Sequence, residues 1–240
     1  MRILCNKPLV GILCDENTTS GGTAYDVPKN LPGMLSSKGA IPVMLPYENA
    51  STQWAKDNCS GLVIMGGRTA FPDEWHVGNA TSIEPYSERI EHEKELLEHF
   101  ITADKPVLGL CYGMQFLGCY YGCKLVPNLR EAFPDALPHK VDAGVKIKNT
   151  KHFVTLHPGS LIANVTGRTE MEVSSRHNTC LGIVSPIFRV AAKSEDGITE
   201  AIEMRGHRFA VGVQWHQEDD YANADHPGNR IFDGFIAACS

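Results

Sequence analysis

The chain has 240 residues, 42% of them hydrophobic and 21% charged, and it carries a formal net charge of −6. This is the composition of an ordinary globular protein, and it indicates neither a disordered chain nor a membrane protein. The negative charge and the lack of a long basic run argue against nucleic acid as a partner, because Lys and Arg supply most of the binding to phosphates.

The length and the amino-terminal segment predict how the chain is organised. A chain of this length can bury one large core, so we expect a single domain over residues 1–240 that acts on a small molecule. Residues 1–10 lack an apolar stretch as long as that of a signal peptide, and no later segment is long enough to span a membrane. We therefore expect a cytoplasmic protein whose eight cysteines are reduced thiols.

Four short apolar segments in the first half predict strands, at residues 9–14, 42–46, 61–66 and 106–110. Segments that are apolar on both faces suit a parallel sheet covered by helices. Residues 85–102 carry apolar side chains at helical spacing and predict a helix between the third and fourth strands. Pro28 and Pro32 interrupt the stretch where a first helix would lie, which leaves its bounds open.

The pattern changes from about His139 onward to short alternating segments. Asp-Gly and Arg-Gly turns separate some of these segments, and they predict antiparallel hairpins added to one side of the sheet. Residues 229–238 carry apolar side chains at helical spacing, which predicts a last helix. The predicted strands of this half cover residues 140–147, 152–157, 171–175, 188–193, 198–204 and 209–215.

The fourth strand leads into the sequence Gly109-Leu110-Cys111-Tyr112-Gly113, and a helix is predicted to follow. A nucleophile on a sharp strand-to-helix turn needs small neighbours two residues to either side, because the backbone there passes close to itself. Unpaired N–H groups and the dipole at a helix N-terminus favour a thiolate. We therefore predict that Cys111 is a reactive nucleophile.

An apolar strand near the other end of the chain is followed by His216, with Glu218 two residues later. If His216 lies beside Cys111, it can take the thiol proton and later protonate the leaving amine. Glu218 would then orient the ring and stabilise the imidazolium. The three residues together predict a catalytic triad.

The two motifs carry a family resemblance. Gly-Leu-Cys-Tyr-Gly-Met-Gln at 109–115, with Gly-Val-Gln-Trp-His-Gln-Glu at 212–218, resembles the class I glutamine amidotransferase-like superfamily. Within it, the chain is most similar to the γ-glutamyl hydrolase branch of peptidase C26 type, which includes γ-glutamyl-γ-aminobutyrate hydrolases. The resemblance implies an α/β fold, a flavodoxin-like doubly wound and mostly parallel sheet with a small added antiparallel region. It also implies an active site at the carboxyl edge of the strands.

An oxyanion hole is expected beside the nucleophile. Tyr112, the residue after Cys111, would supply one backbone N–H to the tetrahedral intermediate. The resemblance assigns the second donor to the glycine pair after an earlier strand, which here is Gly66 and Gly67, with Gly67 as the donor and Gly66 beside the substrate. It also implies that Gln115, one helical turn beyond the nucleophile, contacts the glutamyl group.

The resemblance further matches Arg176 and His177 to a segment that lines the substrate pocket. An arginine there suits a substrate carboxylate. Three departures from the family pattern alter the pocket and leave the amine leaving group open: Asn178 replaces a second histidine, Gln217 replaces a proline and Thr69 replaces an acidic residue. None of the three removes an atom of the predicted triad.

No metal and no cofactor are predicted. Cys119 and Cys123 lie four residues apart on the predicted nucleophile helix, but a zinc site needs about four ligands and the sequence offers them no partner motif. We interpret them as core thiols. Trp215 and Tyr112 are interpreted as pocket walls, and the sequence has no glycine-rich phosphate loop.

Three functions remain open at this stage. The leading hypothesis is hydrolysis of a γ-glutamyl amide bond in a small compound, through a γ-glutamyl thioester on Cys111. The second is a glutaminase subunit that delivers ammonia to a separate synthase partner, and the third is a non-catalytic binding protein on the same fold. The sequence also leaves open whether the chain forms a homodimer.

Overall fold

The computed structural model describes residues 7–19, 22–78, 87–141 and 149–240. Eleven strands form one sheet, in the order β4-β1-β5-β6-β13-β12-β11-β8-β9, with β10 paired to β12 and to β7, while β2 and β3 form a separate hairpin. The strands are β1 (Leu9–Leu13), β2 (Asp15–Thr19), β3 (Gly22–Asp26), β4 (Ile41–Leu45), β5 (Gly61–Ile64), β6 (Val107–Leu110), β7 (Lys124–Val126), β8 (Thr150–Leu156), β9 (Glu170–Ser175), β10 (Cys180–Ile183), β11 (Phe188–Ser194), β12 (Thr199–Met204) and β13 (Ala210–Val213).

Helices pack on both faces of this sheet. They are α1 (Asn30–Ser37), α2 (Asn49–Asn58), α3 (Arg89–Thr102), α4 (Tyr112–Tyr120), α5 (Leu129–Ala132), α6 (Leu161–Thr166) and α7 (Arg230–Ala238). The apolar side chains of α1, α6 and α7 share one buried cluster, and those of α2, α3 and α4 share another. The parallel strands contribute to both, since Val10 belongs to the first cluster and Leu13 to the second. The arrangement is the predicted flavodoxin-like α/β fold.

The four strands predicted in the first half are confirmed, and each lies within one residue or two of its expected bounds. They form the parallel part of the sheet, in the order β4, β1, β5 and β6. The last strand of the chain, β13, pairs in parallel with β6 and antiparallel with β12. It therefore joins the two parts of the sheet and brings the carboxyl end of the chain beside the strand that precedes Cys111.

The antiparallel region is also confirmed, as β12, β11, β8 and β9. The strand predicted over residues 140–147 lies largely outside the described residues, and its described part, Lys140 and Val141, is not in a strand. Two features differ from expectation. The helix predicted from residue 85 begins at Arg89, with residues 85 and 86 outside the described range. Pro32 lies in the first turn of α1, where a missing N–H is tolerated.

Within the part of the chain that the structure describes, there is no helix both long and apolar enough to cross a membrane.

Candidate active site

A cavity of about 780 Å³ opens at the carboxyl edge of the parallel strands. This volume lies in the range typical of small-molecule sites. Segments that follow β1, β5, β6 and β13 line it, because the carboxyl ends of parallel strands meet at the same edge of a sheet. Most of the site residues predicted from the sequence contribute to its wall: Gly66, Gly67, Cys111, Tyr112, Gln115, Arg176, His177, His216 and Glu218.

Cys111 occupies the turn between β6 and α4, and its φ is 52°. A residue with a Cβ rarely adopts a positive φ, so this backbone is strained by on the order of 1–3 kcal/mol. The turn leaves no room for side chains on its glycines. A Cβ on Gly109 would lie 2.5 Å from the backbone of Gly113, and a Cβ on Gly113 would lie 1.9 Å from the Ile64 carbonyl oxygen. The close approach predicted for both glycines is therefore present.

His216 follows β13 and lies beside Cys111. Its Nδ1 is 2.7 Å from Glu218 Oε1. The ring also lies close enough to the Cys111 sulfur for the two groups to interact electrostatically. Burial by itself lowers the pKa of His216, but the nearby Glu218 carboxylate and the Cys111 sulfur more than offset this and raise the pKa to about 10. The ring therefore holds a proton at neutral pH, directly beside the sulfur.

Arg176 also approaches His216, and its Nη2 is 2.8 Å from Nδ1. A carboxylate oxygen can only accept, so the Nδ1 proton goes to Glu218. A guanidinium can only donate, so Arg176 cannot bond to the same nitrogen. Arg176 is instead held by Asp219, and its Nη2 lies 3.7 Å from Glu218 Oε1. These contacts compete with a substrate carboxylate for Arg176, and its predicted role as a substrate ligand stays a prediction.

The glycine pair after β5 lies against the candidate nucleophile and base. A Cβ on Gly66 would be 3.0 Å from His216 Cε1 and 3.8 Å from Cys111 Cβ. A side chain at this position would require the His216 ring to shift by a few tenths of an ångström. Tyr112 begins α4, and its ring stacks on Phe71 with a centroid distance of 4.7 Å. The predicted oxyanion donors, Gly67 and Tyr112, thus lie on two segments that border the same cavity.

A fully buried arginine, for which the sequence carries no local signal, joins these two segments. Arg89 Nη2 donates to the Met65 carbonyl oxygen at 2.8 Å, and its Nη1 donates to Asp15 at 2.9 Å. Arg89 Nε donates to Glu93 at 2.8 Å, and the other oxygen of Glu93 accepts from the Tyr112 hydroxyl at 2.8 Å. The side chain of Arg89 therefore fixes the start of α4 relative to the end of β5.

Gln115 lines the cavity one turn after Cys111, as expected. Its Nε2 donates to the Thr179 carbonyl oxygen at 3.0 Å and to Gln214 Oε1 at 3.1 Å. Gln214 in turn donates to the Cys111 sulfur at 3.6 Å. Gln214 was not predicted; a buried polar residue at the end of an apolar strand was the signal for it. The contact of Gln115 with a glutamyl group stays a prediction.

His177 lines the cavity, but both of its ring nitrogens face protein atoms. Nδ1 is 3.1 Å from the Thr179 carbonyl oxygen, and Nε2 is 3.2 Å from Glu200 Oε1. These contacts direct the polar atoms of His177 away from a ligand. The interpretation of Trp215 as a pocket wall is wrong: its side chain is fully buried and packs in the core.

Gln217 occupies the position where the family that the chain resembles has proline. Its hydrogen bonds connect the turn after His216 to the start of the last helix. Its side chain accepts from Trp215 Nε1 at 3.0 Å and donates to Asn229 Oδ1 at 2.9 Å. A Cβ on Gly228 would lie 2.0 Å from Gln217 Oε1, so this glycine makes room for the amide. Hydrogen bonds here replace the rigidity that a proline ring would give.

The chain is similar to known proteins over most of its length. The model of the peptidase C26 family matches residues 8–218. The γ-glutamyl-γ-aminobutyrate hydrolase PuuD of Escherichia coli strain K12 is 26% identical over 247 residues, which cover 100% of this chain and 96% of that protein. A Rickettsia prowazekii protein assigned as glutamine amidotransferase-like is 25% identical over 280 residues, which cover 97% and 98%.

Among solved structures, a Thermoplasma acidophilum protein assigned as a GMP synthase subunit is similar with a TM-score of 0.63. The two chains are 19% identical, and the similarity covers 98% of this chain and 95% of that one. At this identity the likeness concerns the fold alone. It agrees with the order of parallel strands described above.

Proposed function

This chain belongs to the peptidase C26 family, and we propose that it is a cysteine-dependent amidohydrolase that cleaves the γ-glutamyl amide bond of a small γ-glutamyl compound. Family membership supports the amidohydrolase class. One observation supports the finer proposal: Cys111 occupies a strained turn beside the His216 ring, and Nδ1 of that ring lies 2.7 Å from Glu218 Oε1.

Acylation begins when the Cys111 sulfur attacks the γ-carbonyl carbon. The carbonyl oxygen becomes an oxyanion and accepts from the backbone N–H groups of Tyr112 and Gly67, each worth on the order of 3 kcal/mol of barrier. His216 then donates its proton to the leaving amine as the C–N bond breaks. The products of this half-reaction are a γ-glutamyl thioester on Cys111 and a free amine.

Deacylation uses the same imidazole as a base. In the thioester the sulfur carries no negative charge, so one of the two interactions that raise the pKa of His216 is lost. The ring can then take a proton from water, and the resulting hydroxide attacks the thioester carbonyl carbon. Collapse of the second tetrahedral intermediate breaks the C–S bond and releases glutamate, and His216 again holds its proton beside the thiolate.

The proposal is tested with γ-glutamyl amides that vary only in the amine, including γ-glutamyl-γ-aminobutyrate, which the name of the Escherichia coli relative gives as its substrate. The purified chain is expected to release glutamate and amine from at least one of them. The α-linked glutamyl isomers, which present the same atoms in another connectivity, serve as the matched control and should remain intact. Release of ammonia from glutamine alone, raised by a synthase, would instead favour the ammonia-donating role.

The fall of kcat/KM at high pH, the alkaline limb of the pH profile, should follow the deprotonation of His216. Because kcat/KM follows the free enzyme, it is expected to fall as the pH rises through about 10, where His216 loses the proton that the leaving amine needs. Glu218 is the main interaction that raises this pKa. In Glu218→Gln the limb should therefore move to lower pH by about one unit or more. The measurement is kcat/KM from pH 6 to pH 11 for both proteins.

Asp233→Asn is the matched control, because it removes the same charge from an exposed carboxylate that pairs with Lys38. Its alkaline limb should coincide with that of the wild type. A limb that stays in place in Glu218→Gln would contradict the assignment of His216 and Glu218 as an acid and its orienting partner.

A further inference from the structure

Three histidines and a glutamate, far apart in the sequence, meet beside the candidate active site. His152 lies on β8, His177 follows β9 and Glu200 lies on β12, while His139 precedes β8 in the chain. All four are buried, with side chains between 0% and 4% exposed. Neighbouring strands of the antiparallel region bring them together.

The potential ligand atoms converge on one carboxylate oxygen. His139 Nδ1, His177 Nε2 and His152 Nε2 lie 3.1, 3.2 and 3.4 Å from Glu200 Oε1. A tetrahedral zinc site with bonds of about 2.0–2.1 Å places neighbouring ligand atoms about 3.3 Å apart. Ligand atoms of His139, His177 and Glu200 also lie within 4.8 Å of one another. The spacing around this oxygen is that of ligands around a metal ion.

Two of the rings also face an acceptor on the side away from Glu200. His177 Nδ1 faces the Thr179 carbonyl oxygen, which can only accept, so this nitrogen can hold the proton of the neutral ring while Nε2 binds a metal ion. His139 Nε2 faces Asp196 Oδ2 at 2.9 Å and donates to it for the same reason. With the protons at those positions, His177 Nε2 and His139 Nδ1 have lone pairs that can bind a metal ion on the Glu200 side. A metal-binding histidine commonly donates its other N–H to a carboxylate or a carbonyl oxygen in this way.

A lone pair that faces a carboxylate oxygen repels it, and either a proton on that ring nitrogen or a metal ion between the two groups removes the repulsion. Within the described part of the chain, His139 Nδ1, both nitrogens of His152 and Glu200 Oε2 are buried without a hydrogen-bond partner. Protons on all three rings would place imidazolium charges close together, since the ring centroids of His139 and His152 are 4.5 Å apart and those of His139 and His177 are 4.7 Å apart. One divalent ion would bind one atom of each of the four groups without that repulsion.

We propose that His139, His152, His177 and Glu200 bind a divalent transition-metal ion, and that its chemistry is that of Zn²⁺. Three imidazole nitrogens and one carboxylate oxygen suit this ion better than Mg²⁺ or Ca²⁺, which prefer oxygen ligands. Four protein ligands fill a tetrahedral shell, so the ion has a structural role and leaves no open position for catalysis. This site could not be predicted from the sequence, because the first and last of these ligands are 61 positions apart and form no short motif.

The site also reaches the wall of the cavity. The Thr179 carbonyl oxygen that fixes His177 accepts from Gln115 as well, and Gln115 contacts Gln214, which donates to the Cys111 sulfur. A metal ion bound to His177 would hold these hydrogen-bonded groups in their positions. Its expected effect is on the stability of the pocket wall and not on the chemical step.

The test is metal content and affinity in protein purified without a histidine tag. The wild type is expected to retain about one Zn²⁺ per chain after dialysis, measured by mass spectrometry of the metals. The metal-free protein should take up Co²⁺ with the visible absorption bands of a tetrahedral site with nitrogen and oxygen ligands. Zn²⁺ affinity, measured by competition with a chromophoric chelator, should fall at least about tenfold in His152→Ala and in Glu200→Gln.

Two control variants separate this site from others. His157→Ala removes an exposed histidine just after β8, and Cys111→Ala removes the thiol of the candidate active site. Both should bind Zn²⁺ as the wild type does. Wild-type protein that binds neither Zn²⁺ nor Co²⁺ would overturn the proposal, as would folded His152→Ala and Glu200→Gln proteins with unchanged affinity. If neither of these two variants folds, the Co²⁺ spectrum of the Cys111→Ala protein decides: tetrahedral bands support the site, and their absence overturns it.

Discussion

Replacing Cys111 with alanine is expected to lower kcat for γ-glutamyl amide hydrolysis by about 10⁴-fold or more, because the thioester route needs the sulfur. The side chain is small, and the exchange leaves the glycines and the turn unchanged, so the variant should fold as the wild type does. Activity is measured as glutamate release, with circular dichroism to verify the fold. A γ-glutamyl adduct, detected on the wild type by mass spectrometry after rapid quenching, should be absent from the variant.

Cys119→Ala provides the matched control for this loss. Cys119 lies on the same helix, is 3% exposed and packs in the core. Its removal deletes the same atom without touching the cavity, so kcat should stay within about twofold of the wild type while the stability falls slightly. Turnover in Cys111→Ala above about 1% of the wild-type value would rule out the thioester route.

The parallel part of the fold and the nucleophile turn could be predicted from the sequence because both depend on local patterns. Strands covered on two faces are continuously apolar, as in β1 and β5, and each segment carries this information itself. The steric demand around Cys111 likewise acts between residues two positions apart and appears as two glycines. The pairing of Cys111 with His216 is not local, and it was inferred from the resemblance and the order of motifs.

The residues that could not be predicted from the sequence carry no local pattern. Arg89 opens an amphipathic helix and looks like a solvated residue, but the fold buries it completely under the ends of two strands. The hairpin of β2 and β3 is missed for a related reason, since the described residues of β3 are exposed and no apolar alternation marks them. The histidine cluster depends on the register between β8, β9 and β12, which separate segments of chain determine together.

Arg89→Met should be the most destabilising of the substitutions considered, lowering the free energy of unfolding by about 3–5 kcal/mol. Methionine fills much of the volume but leaves Glu93 buried at 1% exposure without its cationic partner. The Met65 carbonyl oxygen also loses its donor. Urea denaturation of wild type and variant at one pH measures the change. The exposed Arg208, which pairs with Asp104, provides the matched control, since Arg208→Met should cost at most about 1 kcal/mol.

The same substitution is expected to lower kcat of the protein that remains folded. Arg89 bonds to Met65, directly before the glycine pair, and to Glu93, which holds the Tyr112 hydroxyl. The distance between the two proposed oxyanion donors thus depends on the guanidinium of Arg89. A loss of alignment affects the transition state more than the bound substrate, so kcat should fall by about tenfold or more with little change in KM.

A double variant separates the effect of the unpaired charge on stability from the effect of the lost contacts on kcat. In Arg89→Met with Glu93→Leu, no uncompensated charge remains at the pair, so part of the lost stability should return. The Tyr112 hydroxyl and the Met65 carbonyl oxygen still lack their partners, so kcat should stay low. Recovery of kcat together with stability would mean that Arg89 acts on catalysis only through the folded population. Low kcat in a restabilised protein would identify the buried pair of Arg89 and Glu93 as the group that positions the oxyanion hole.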